Sequence, residues 1–256
     1  MAVSYSNKSI VTDGLVLKVD ASNPRSYISG STTTDSLIGS FTGSLKNDVS
    51  FSSSYQGFWN FDGIDDRLEI NELTDIRASL ANSSFNIWLY PNQLESDGRR
   101  YQWSFTVDGY YPVVGLGYSP PTNPSPSYTY SGSYDVLSGT SGANRFILVT
   151  TGSVFQKEWT NICVTKETGG NTGNKYNCKI YVNGVNQNTN LTDDTATNDW
   201  WLDNQALTRF NFATLYRPSV TSNWSVTNIA SFSVYNRTLT AAEVLHNYKA
   251  LKDRFQ

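Results

Sequence analysis

A tight-turn signal near residue 183 constrains the fold more than any other feature of the chain. The stretch CKIYVNGVNQ, residues 178–187, places Asn183-Gly184 between two runs rich in β-formers. Asn-Gly is the strongest short-range signal of a β-hairpin, because both of its residues adopt the positive φ angles of a tight turn. We therefore expect antiparallel strands on either side of this dipeptide.

Two cysteines test how the neighbouring strands are arranged. Cys163 lies in WTNICVTKE and Cys178 lies in YNCKIYVNG, two runs that we expect to pair. Suppose that Ile162 and Ile180 both face the core. Then any residue of the first strand and any residue of the second that face the same side have residue numbers whose sum is even. The cysteine numbers have an odd sum, which places the thiols on opposite faces. We expect two free thiols and synthesis in a reducing compartment.

Short β-like segments recur along the rest of the chain. They are FWNFD and RLEI around Gly63, SFNIWLYP (84–91), RRYQWSFTV (99–107), RFNFATLY and NIASFSVYN. Aromatic residues make up 14% of the 256 residues and charged residues only 16%, so we expect a core built from aromatics beneath a surface rich in hydroxyls and amides. This profile is typical of an all-β protein with many turns.

The C-terminal segment 240–254 is the one stretch with a clear helical pattern. Thr240 followed by Glu243 forms a capping box. Apolar residues then recur at i, i+4, i+7 and i+11, namely Val244, Tyr248, Leu251 and Phe255. No linker or fixed-period repeat divides the chain. We expect one domain over 1–256, with an N-terminal arm at 1–12 and a short C-terminal α-helix packed against its own sheet.

Charge and hydropathy exclude two classes of partner. A net charge of −3 and a pI near 5.2 argue against nucleic-acid binding, which usually needs a basic face. The longest apolar stretches are too short to span a membrane, so no membrane insertion is expected. The first 14 residues hold no apolar h-region, and we expect no signal peptide.

A long Pro/Tyr-rich loop is expected over 110–134, where the sequence reads YYPVVGLGYSPPTNPSPSYTYSGSY. Its prolines are incompatible with a regular β-ladder through the middle of the segment. A loop of this length inside a compact domain is uncommon and usually has a function in binding or assembly.

Four stretches in order resemble the concanavalin A-like, or laminin-G-like, jelly-roll superfamily. They are FWNFDGIDDRLEI, SFNIWLYP, EWTNICVTKE with CKIYVNGV, and IASFSVYNRTLTAAEVLHNYKALKDRF. The resemblance implies an all-β fold, a two-sheet antiparallel jelly-roll sandwich with a short C-terminal α-helix. It covers most of the chain and is poorest over 92–158.

The opening stretch SIVTDGLVLKVDASNPRSY, residues 9–27, adds a narrower likeness. It resembles the start of structural proteins of tailed bacteriophages, especially marine and cyanobacterial ones. This implies a virion structural or decoration protein that is assembled in the host cytoplasm, forms a homo-oligomer and binds other virion proteins. The alternative is a carbohydrate-binding adhesin or receptor-binding module that recognises host-surface glycans or polysaccharide.

Catalysis is considered because the superfamily includes glucanases. Retaining glycosidases need two carboxylates about 5–5.5 Å apart, and laminarinase-type members place them as Glu-x-Asp-x-x-Glu on one strand. No glutamate of this chain lies in that pattern; the nearest approach, ESDGRR from Glu95, lacks the second glutamate. The lone His246 lies on the expected helix, where we expect a histidine of the surface or the core and not a general base. The chain is therefore expected not to be an enzyme.

Aromatic side chains are the candidate contacts for a glycan or an assembly partner. A pyranose stacks on exposed rings beside amide groups, and exposed aromatics also mark protein–protein contacts. The candidates lie in the 110–134 loop and in the stretch NDWWLDNQ, and they are Tyr110, Tyr111, Tyr118, Tyr128, Tyr130, Tyr134, Trp200 and Trp201.

Three aspartates crowd together in NFDGIDDRLEI, at Asp62, Asp65 and Asp66. Their spacing is not that of an EF-hand loop, which needs alternating ligands. Aspartate commonly accepts backbone N–H groups in turns, so we interpret them mainly as turn formers. No cofactor is expected, and a calcium site on these aspartates is kept as the alternative.

Overall fold

A computed structural model of the chain describes residues 9–71, 80–92, 100–106, 112–119, 133–140, 144–151, 157–167, 177–194, 209–217, 220–222 and 224–256. Nearly all regular structure in these ranges is β, as the turn-rich, β-branched and aromatic sequence predicts. The strands pair antiparallel and build two large sheets. The predicted two-sheet antiparallel sandwich is confirmed.

Sheet A contains eight of the strands in the described ranges. Its order is β14-β13-β12-β7-β19-β5-β4, and β1 pairs with the second half of β19. The bounds are β1 Leu15–Asp20, β4 Ser50–Ser52, β5 Phe58–Asp62, β7 Ser83–Pro91, β12 Thr160–Lys166, β13 Cys178–Val182, β14 Val185–Asn186 and β19 Val226–Tyr235.

Sheet B contains nine strands among the same residues, in the order β15-β11-β10-β9-β8-β16-β6-β3-β2. The bounds are β2 Thr33–Asp35, β3 Thr42–Lys46, β6 Arg67–Asn71, β8 Arg100–Thr106, β9 Pro112–Ser119, β10 Ser133–Thr140, β11 Asn144–Thr150, β15 Thr189–Asp194 and β16 Arg209–Phe212. A separate two-stranded ribbon joins β17 Leu215–Arg217 to β18 Val220–Ser222.

The main core lies between the inner faces of the two sheets and is built from aromatic rings. Phe85 of sheet A lies 4.9 Å from Trp103 of sheet B, measured between ring centroids. Phe210 of sheet B lies 4.9 Å from Phe232 of sheet A and 4.2 Å from Phe105. Tilted and edge-on ring pairs at these distances contribute beyond their buried area, so these rings stabilise the packing of the two sheets.

Helix α1, Ala241–Leu251, packs on the outer face of sheet A and is followed by a 3₁₀ turn at Lys252–Phe255. Val244 is buried beside Cys163, while Tyr248 and Phe255 stack on Trp88 with centroids 5.7 and 4.4 Å away. The predicted stripe therefore faces its own sheet. A second 3₁₀ turn, Ser54–Gln56, lies in the connection before β5.

The capping box at the start of α1 forms as predicted. The Glu243 N–H donates to Thr240 Oγ1, and the Thr240 N–H donates to Glu243 Oε2 at 2.8 Å. Residues 9–12 of the predicted N-terminal arm lie along this helix, because the Val11 N–H donates to Asn247 Oδ1 at 2.8 Å. The rest of the arm, 1–8, lies outside the described residues.

The hairpin and the cysteine parity are also confirmed. Asn183 and Gly184 have φ angles of +50° and +79°, and Val182 pairs directly with Val185 across the turn. Cys178 faces the core between the sheets, whereas Cys163 faces the helix side of sheet A. Both thiols are buried and free.

Two connections differ from the simplest interpretation of the sequence. Strands β5 and β6, which flank the Gly63 turn, belong to different sheets and do not pair with each other, so this turn crosses the sandwich edge. The expected loop over 110–134 is wrong at both ends, because PVVGLGYS forms β9 and a further strand begins at Ser133. Its prolines at 120–126 lie outside the described residues.

Candidate functional site

The turn at residues 62–66 connects the two sheets at one end of the sandwich. Gly63 adopts a φ of +77°, a conformation that glycine takes without steric penalty. The Ile64 N–H donates to Asp62 Oδ1 at 2.8 Å, and the Asp62 N–H donates to Asp66 Oδ2 at 3.1 Å. Asp62 and Asp66 therefore shape this turn, as the sequence indicated.

The three aspartates of the turn bring their carboxylates together. One oxygen from each of Asp62, Asp65 and Asp66 lies within 4.8 Å of the others. Asp62 and Asp65 are exposed to solvent, whereas Asp66 is only 5% exposed. The cluster is therefore buried on the side of Asp66 and open to solvent at Asp62 and Asp65.

Asp66 has the least favourable environment for a charged carboxylate among the three aspartates. Its Oδ1 is buried and has no hydrogen-bond partner. Burial, and then the nearby charges of Asp62, Asp65 and Asp48, raise the pKa of Asp66 to about 6. A buried carboxylate oxygen without a donor costs free energy in its charged form, which agrees with the raised pKa of Asp66.

A polar hollow of about 310 Å³ opens beside the turn, and we call it the rim hollow. It lies where β4, β5, β7 and β19 of sheet A reach the edge of the sandwich. Its lining is Asn47, Asp48, Ser50, Asn60, Phe61, Asp62, Asp66, Asn92, Val226 and Asn228. Four of these ten residues are asparagines and three are aspartates, so side-chain amides and carboxylates dominate the surface.

The strand register holds two of the amides side by side. Asn228 of β19 pairs directly with Asn60 of β5. Asn92, just after β7, donates from Nδ2 to Asn228 Oδ1 at 2.7 Å. This bond fixes the orientation of the Asn228 amide. As a result Asn60, Asn92 and Asn228, which are far apart in sequence, line one side of the hollow.

A second hollow of about 530 Å³ shares Asn47, Asp48 and Ser50 with the first. Asn47 and Asp48 have φ angles of +62° and +66°, in the left-handed region that Asn and Asp tolerate better than most residues. Asn47 donates from Nδ2 to the Asp65 carbonyl at 2.8 Å. The loop that separates the hollows is thus tied to the acidic turn.

The aromatic residues that we predicted as ligand contacts do not lie at this turn. Tyr134 is fully buried in the sandwich core, so the expectation that its ring is available to a ligand is wrong. Its strand alternates inward and outward, and Tyr134 faces inward with Val136. Tyr118 lies on β9, and its side chain is outside what the structure describes; so are residues 110, 111, 128, 130, 200 and 201 altogether.

Sequence reasoning missed the residues that complete the rim hollow. Asn60, Asn92 and Asn228 are far apart in the chain, and only the strand register brings them together. Asn47-Asp48 had a detectable signal, because adjacent Asn and Asp between two short strands favour left-handed turn geometry.

Among the residues that the structure describes, no helix is long and apolar enough to cross a membrane.

Comparisons with known proteins give a fold and no family. No protein-family model matches the chain, and no curated protein matches it. Among solved structures, Trypanosoma rangeli sialidase is similar at 14% identity and a TM-score of 0.62, over 96% of this chain and 34% of the sialidase chain. The chain thus spans about a third of the length of that enzyme.

Botulinum neurotoxin domains are similar to the same extent. The receptor-binding domain of type G matches at 14% identity and a TM-score of 0.59, over 93% of this chain and 51% of that one. The receptor-binding domain of the C/D mosaic serotype matches at 14% identity and a TM-score of 0.63, over 93% and 52%. The chain spans about half of these domains.

These likenesses correct the expectation that the chain is not an enzyme. The two-sheet sandwich is shared with part of the chain of a sialidase, which is an enzyme. Absence of a laminarinase-type glutamate pattern therefore does not separate this chain from enzymes that contain such a sandwich, and that prediction is wrong as stated. At 14% identity the likeness shows a shared two-sheet sandwich and no activity.

Proposed function

We propose that this chain is a glycan-binding module whose ligand occupies the rim hollow. The observation that carries the proposal is the lining of the hollow, in which asparagine amides and aspartate carboxylates surround a cavity of about 310 Å³. Ligand sites of small molecules start at about 300 Å³. The hollow is therefore large enough to take one sugar ring.

The chemistry of the lining suits a polyhydroxylated ligand. A sugar hydroxyl both donates and accepts, a carboxylate only accepts, and an amide does both through two different atoms. Towards a hydroxyl, Asn60 and Asn228 can either donate or accept a hydrogen bond, while Asp48 and Asp62 can only accept one. A cationic peptide would also suit the carboxylates, but it would make no specific use of the Asn60 and Asn228 amides.

The second hollow extends the surface that a longer glycan could contact. Tyr27 and Phe51 lie in its lining, with ring centroids 5.1 Å apart. Phe51 is half-buried. Aromatic faces are suited to the C–H face of a sugar, and the shared wall at Asn47 and Asp48 would place the next residue of an oligosaccharide there.

The structural comparisons support this proposal only at the level of the fold. Two of the similar proteins are receptor-binding domains of neurotoxins, and one similar sialidase structure holds sialic acid.

The predicted virion role would place the proposed glycan binding on the surface of a phage particle. It rests on the resemblance of residues 9–27 to phage structural proteins, and it remains our proposal that the module decorates a particle and meets host polysaccharide. Immunodetection of the chain in gradient-purified particles, together with its mass in solution by light scattering, would test this role and the predicted homo-oligomer.

A glycan array followed by calorimetry tests the proposed function. We expect saturable binding of a defined glycan, and a loss of tenfold or more in affinity for Asn60→Ala and for Asp48→Asn. The matched control is Asn186→Ala, which removes an exposed asparagine from β14. Equal affinity in all variants, or no glycan bound by the wild-type chain, would contradict the proposal.

A further inference from the structure

One face of sheet A places amide and aromatic side chains in a row that crosses the strands. Asn228 of β19 pairs directly with Asn60 of β5 on one side and with Tyr90 of β7 on the other. Directly opposite residues of paired strands lie side by side on one face of the sheet. Trp159, just before β12, continues the row, because its ring centroid lies 5.8 Å from that of Tyr90. We call Trp159, Tyr90, Asn228 and Asn60 the outer strip.

The outer strip points away from the sandwich core. The residues next to its three strand positions are buried in the core, namely Leu89, Ile229, Trp59 and Phe61. Because successive side chains of a strand point to opposite faces, the strip residues on β7, β19 and β5 point outward. Trp159, Tyr90 and Asn60 are only half-buried, so the strip reaches solvent.

An aromatic group forms the Trp159 end of the strip. Tyr55 and Phe58 lie 5.7 and 5.2 Å from Trp159, measured between ring centroids, and stand at 65° and 69° to the indole. Phe255 lies 4.6 Å away and is inclined by 32°. Tyr55 is 47% exposed. The strip therefore has an aromatic end at Trp159 and an amide end at Asn60.

The backbone at Tyr55 is held in an unfavourable conformation. Its φ angle is +49° and that of Gln56 is +66°, in the left-handed region that favours glycine. The buried Arg254 donates from Nε to the Tyr55 carbonyl at 2.8 Å and helps to hold this conformation. Strained residues of this kind cluster at ligand clamps and active sites, so Tyr55 is a candidate contact residue.

We propose that the outer strip binds a linear, uncharged oligosaccharide that begins in the rim hollow and crosses β7 to stack on Trp159 and Tyr55. The inference rests on the proposed function, since Asn60 and Asn228 belong to both the strip and the lining of the rim hollow. It adds the size and charge of the ligand, and it extends the site on the side opposite to the second hollow.

The length of the strip requires a chain of sugars. Neighbouring strands lie about 4.8 Å apart, and three such steps separate β12 from β5. Trp159 and Asn60 are therefore about 14 Å apart across the sheet. One sugar ring is too short to contact both, whereas several linked rings can follow the row.

The chemistry of the aromatic end suits a sugar ring. Aromatic faces carry partial negative charge, which attracts the C–H face of a sugar. Within the described part of the chain, the hydroxyls of Tyr55 and Tyr90 and the Trp159 Nε1 have no hydrogen-bond partner, and sugar hydroxyls can pair with them. An apolar protein surface would bury these groups unpaired, at a cost in free energy.

Charges around the site favour a neutral glycan. Lys157 and Glu158, both exposed, precede Trp159 directly, and their charges cancel. At the other end of the strip, Asp48 and Asp62 in the rim hollow repel an anionic sugar. An uncharged oligosaccharide meets neither difficulty.

Calorimetry with a length series of the glycan identified on the array tests the inference. We expect affinity to rise with chain length. Tyr55→Asn and Trp159→Leu should bind the longer fragments about three- to tenfold more weakly, the range of one aromatic contact, and the shortest fragment as the wild type does. Asparagine tolerates the left-handed backbone, so Tyr55→Asn should remain folded. The control Val185→Ala removes a residue of β14 that is 60% exposed and lies on the same sheet outside the strip.

The rim-hollow variant Asn60→Ala separates this inference from the proposed function. It should weaken binding of fragments of every length, whereas the two aromatic variants should weaken only the longer ones. The inference is overturned, and the proposed function stands, if Asn60→Ala weakens binding while Tyr55→Asn, Trp159→Leu and Val185→Ala all keep wild-type affinity for long fragments. A self-association that Tyr55→Asn abolishes, without any dependence of glycan affinity on length, would assign the aromatic end to a second copy of the chain and also overturn it. A wild-type chain that binds no glycan contradicts both.

Discussion

Replacing Arg254 by methionine should destabilise the whole domain, because this side chain ties the end of the chain to two distant segments. Arg254 Nη1 lies 2.9 Å from Asp20 Oδ1, and the two side chains are only 5% and 8% exposed. Its Nε donates to the Tyr55 carbonyl at 2.8 Å, and its Nη2 donates to the Gly57 carbonyl. All of these donors disappear in the variant.

The magnitude follows from what is left behind. Removing one member of a buried ion pair costs about 3–5 kcal/mol, because the remaining charge stays buried without its partner. Asp20 keeps the Ser22 N–H and hydroxyl as donors at 3.0 and 2.7 Å and the Lys18 ammonium 3.9 Å away, which limits the loss. We therefore expect a decrease of about 3 kcal/mol in the free energy of unfolding, at the lower end of that range.

Urea unfolding followed by tryptophan fluorescence measures this loss. The control is Lys249→Ala, an exposed residue in the last turn of α1, which should change the free energy of unfolding by no more than about 0.5 kcal/mol. A decrease below about 1 kcal/mol in Arg254→Met would refute the view that the ion pair fastens the C-terminal turn to sheet A.

Three further changes test the turn and the helix cap. Gly63→Ala should cost about 2–4 kcal/mol in urea unfolding, because a positive φ disfavours alanine and the added methyl would collide with Val226; wild-type stability would contradict this. Asp62→Ala should lower the melting temperature even in chelator, since a turn hydrogen bond worth about 1 kcal/mol is lost; equal melting in chelator would count against the turn role. The hydrogen bond from Arg237 lowers the pKa of Glu243 to about 2. The stability it contributes should therefore be present above its ordinary pKa, near 4.5, and should be lost as the pH falls towards 2. Wild type and Glu243→Gln should converge in melting temperature over that interval, and a constant difference would exclude this linkage.

The local elements were predictable because short-range chemistry specifies them. Asn183-Gly184 strongly favours a tight turn between its two strand runs, and the Thr240–Glu243 box marks a helix start from local sequence alone. The cysteine parity needed only the alternation of a strand. All three depend on residues that are close together in sequence.

The candidate site was only half predictable, because it depends on contacts between distant segments. The aspartates of the turn were identified directly from their spacing, but their relation to Asn60 and Asn228 follows from the pairing of β5 with β19 across more than 160 residues. Tyr134 shows the opposite error. An aromatic residue near a Pro-rich stretch suggested a surface contact, whereas its place on β10 puts the ring in the core.

The enzyme prediction failed for a different reason. It relied on the absence of one glucanase pattern and on a lone histidine without a catalytic role, whereas the same sandwich occurs in sialidase chains. Fold and function are separable, so absence of a single motif excludes only the chemistry of that motif.

The most direct test of the central claim is to map a bound oligosaccharide on the protein by NMR. A glycan identified on the array is titrated into ¹⁵N-labelled protein, and the side-chain amide signals of Asn60, Asn92 and Asn228 are followed. We predict saturable shifts of these three signals and of the Asp48 backbone amide, with no change at Asn186. Shifts confined to residues outside the rim hollow would contradict the proposed site, as would a protein that binds no glycan.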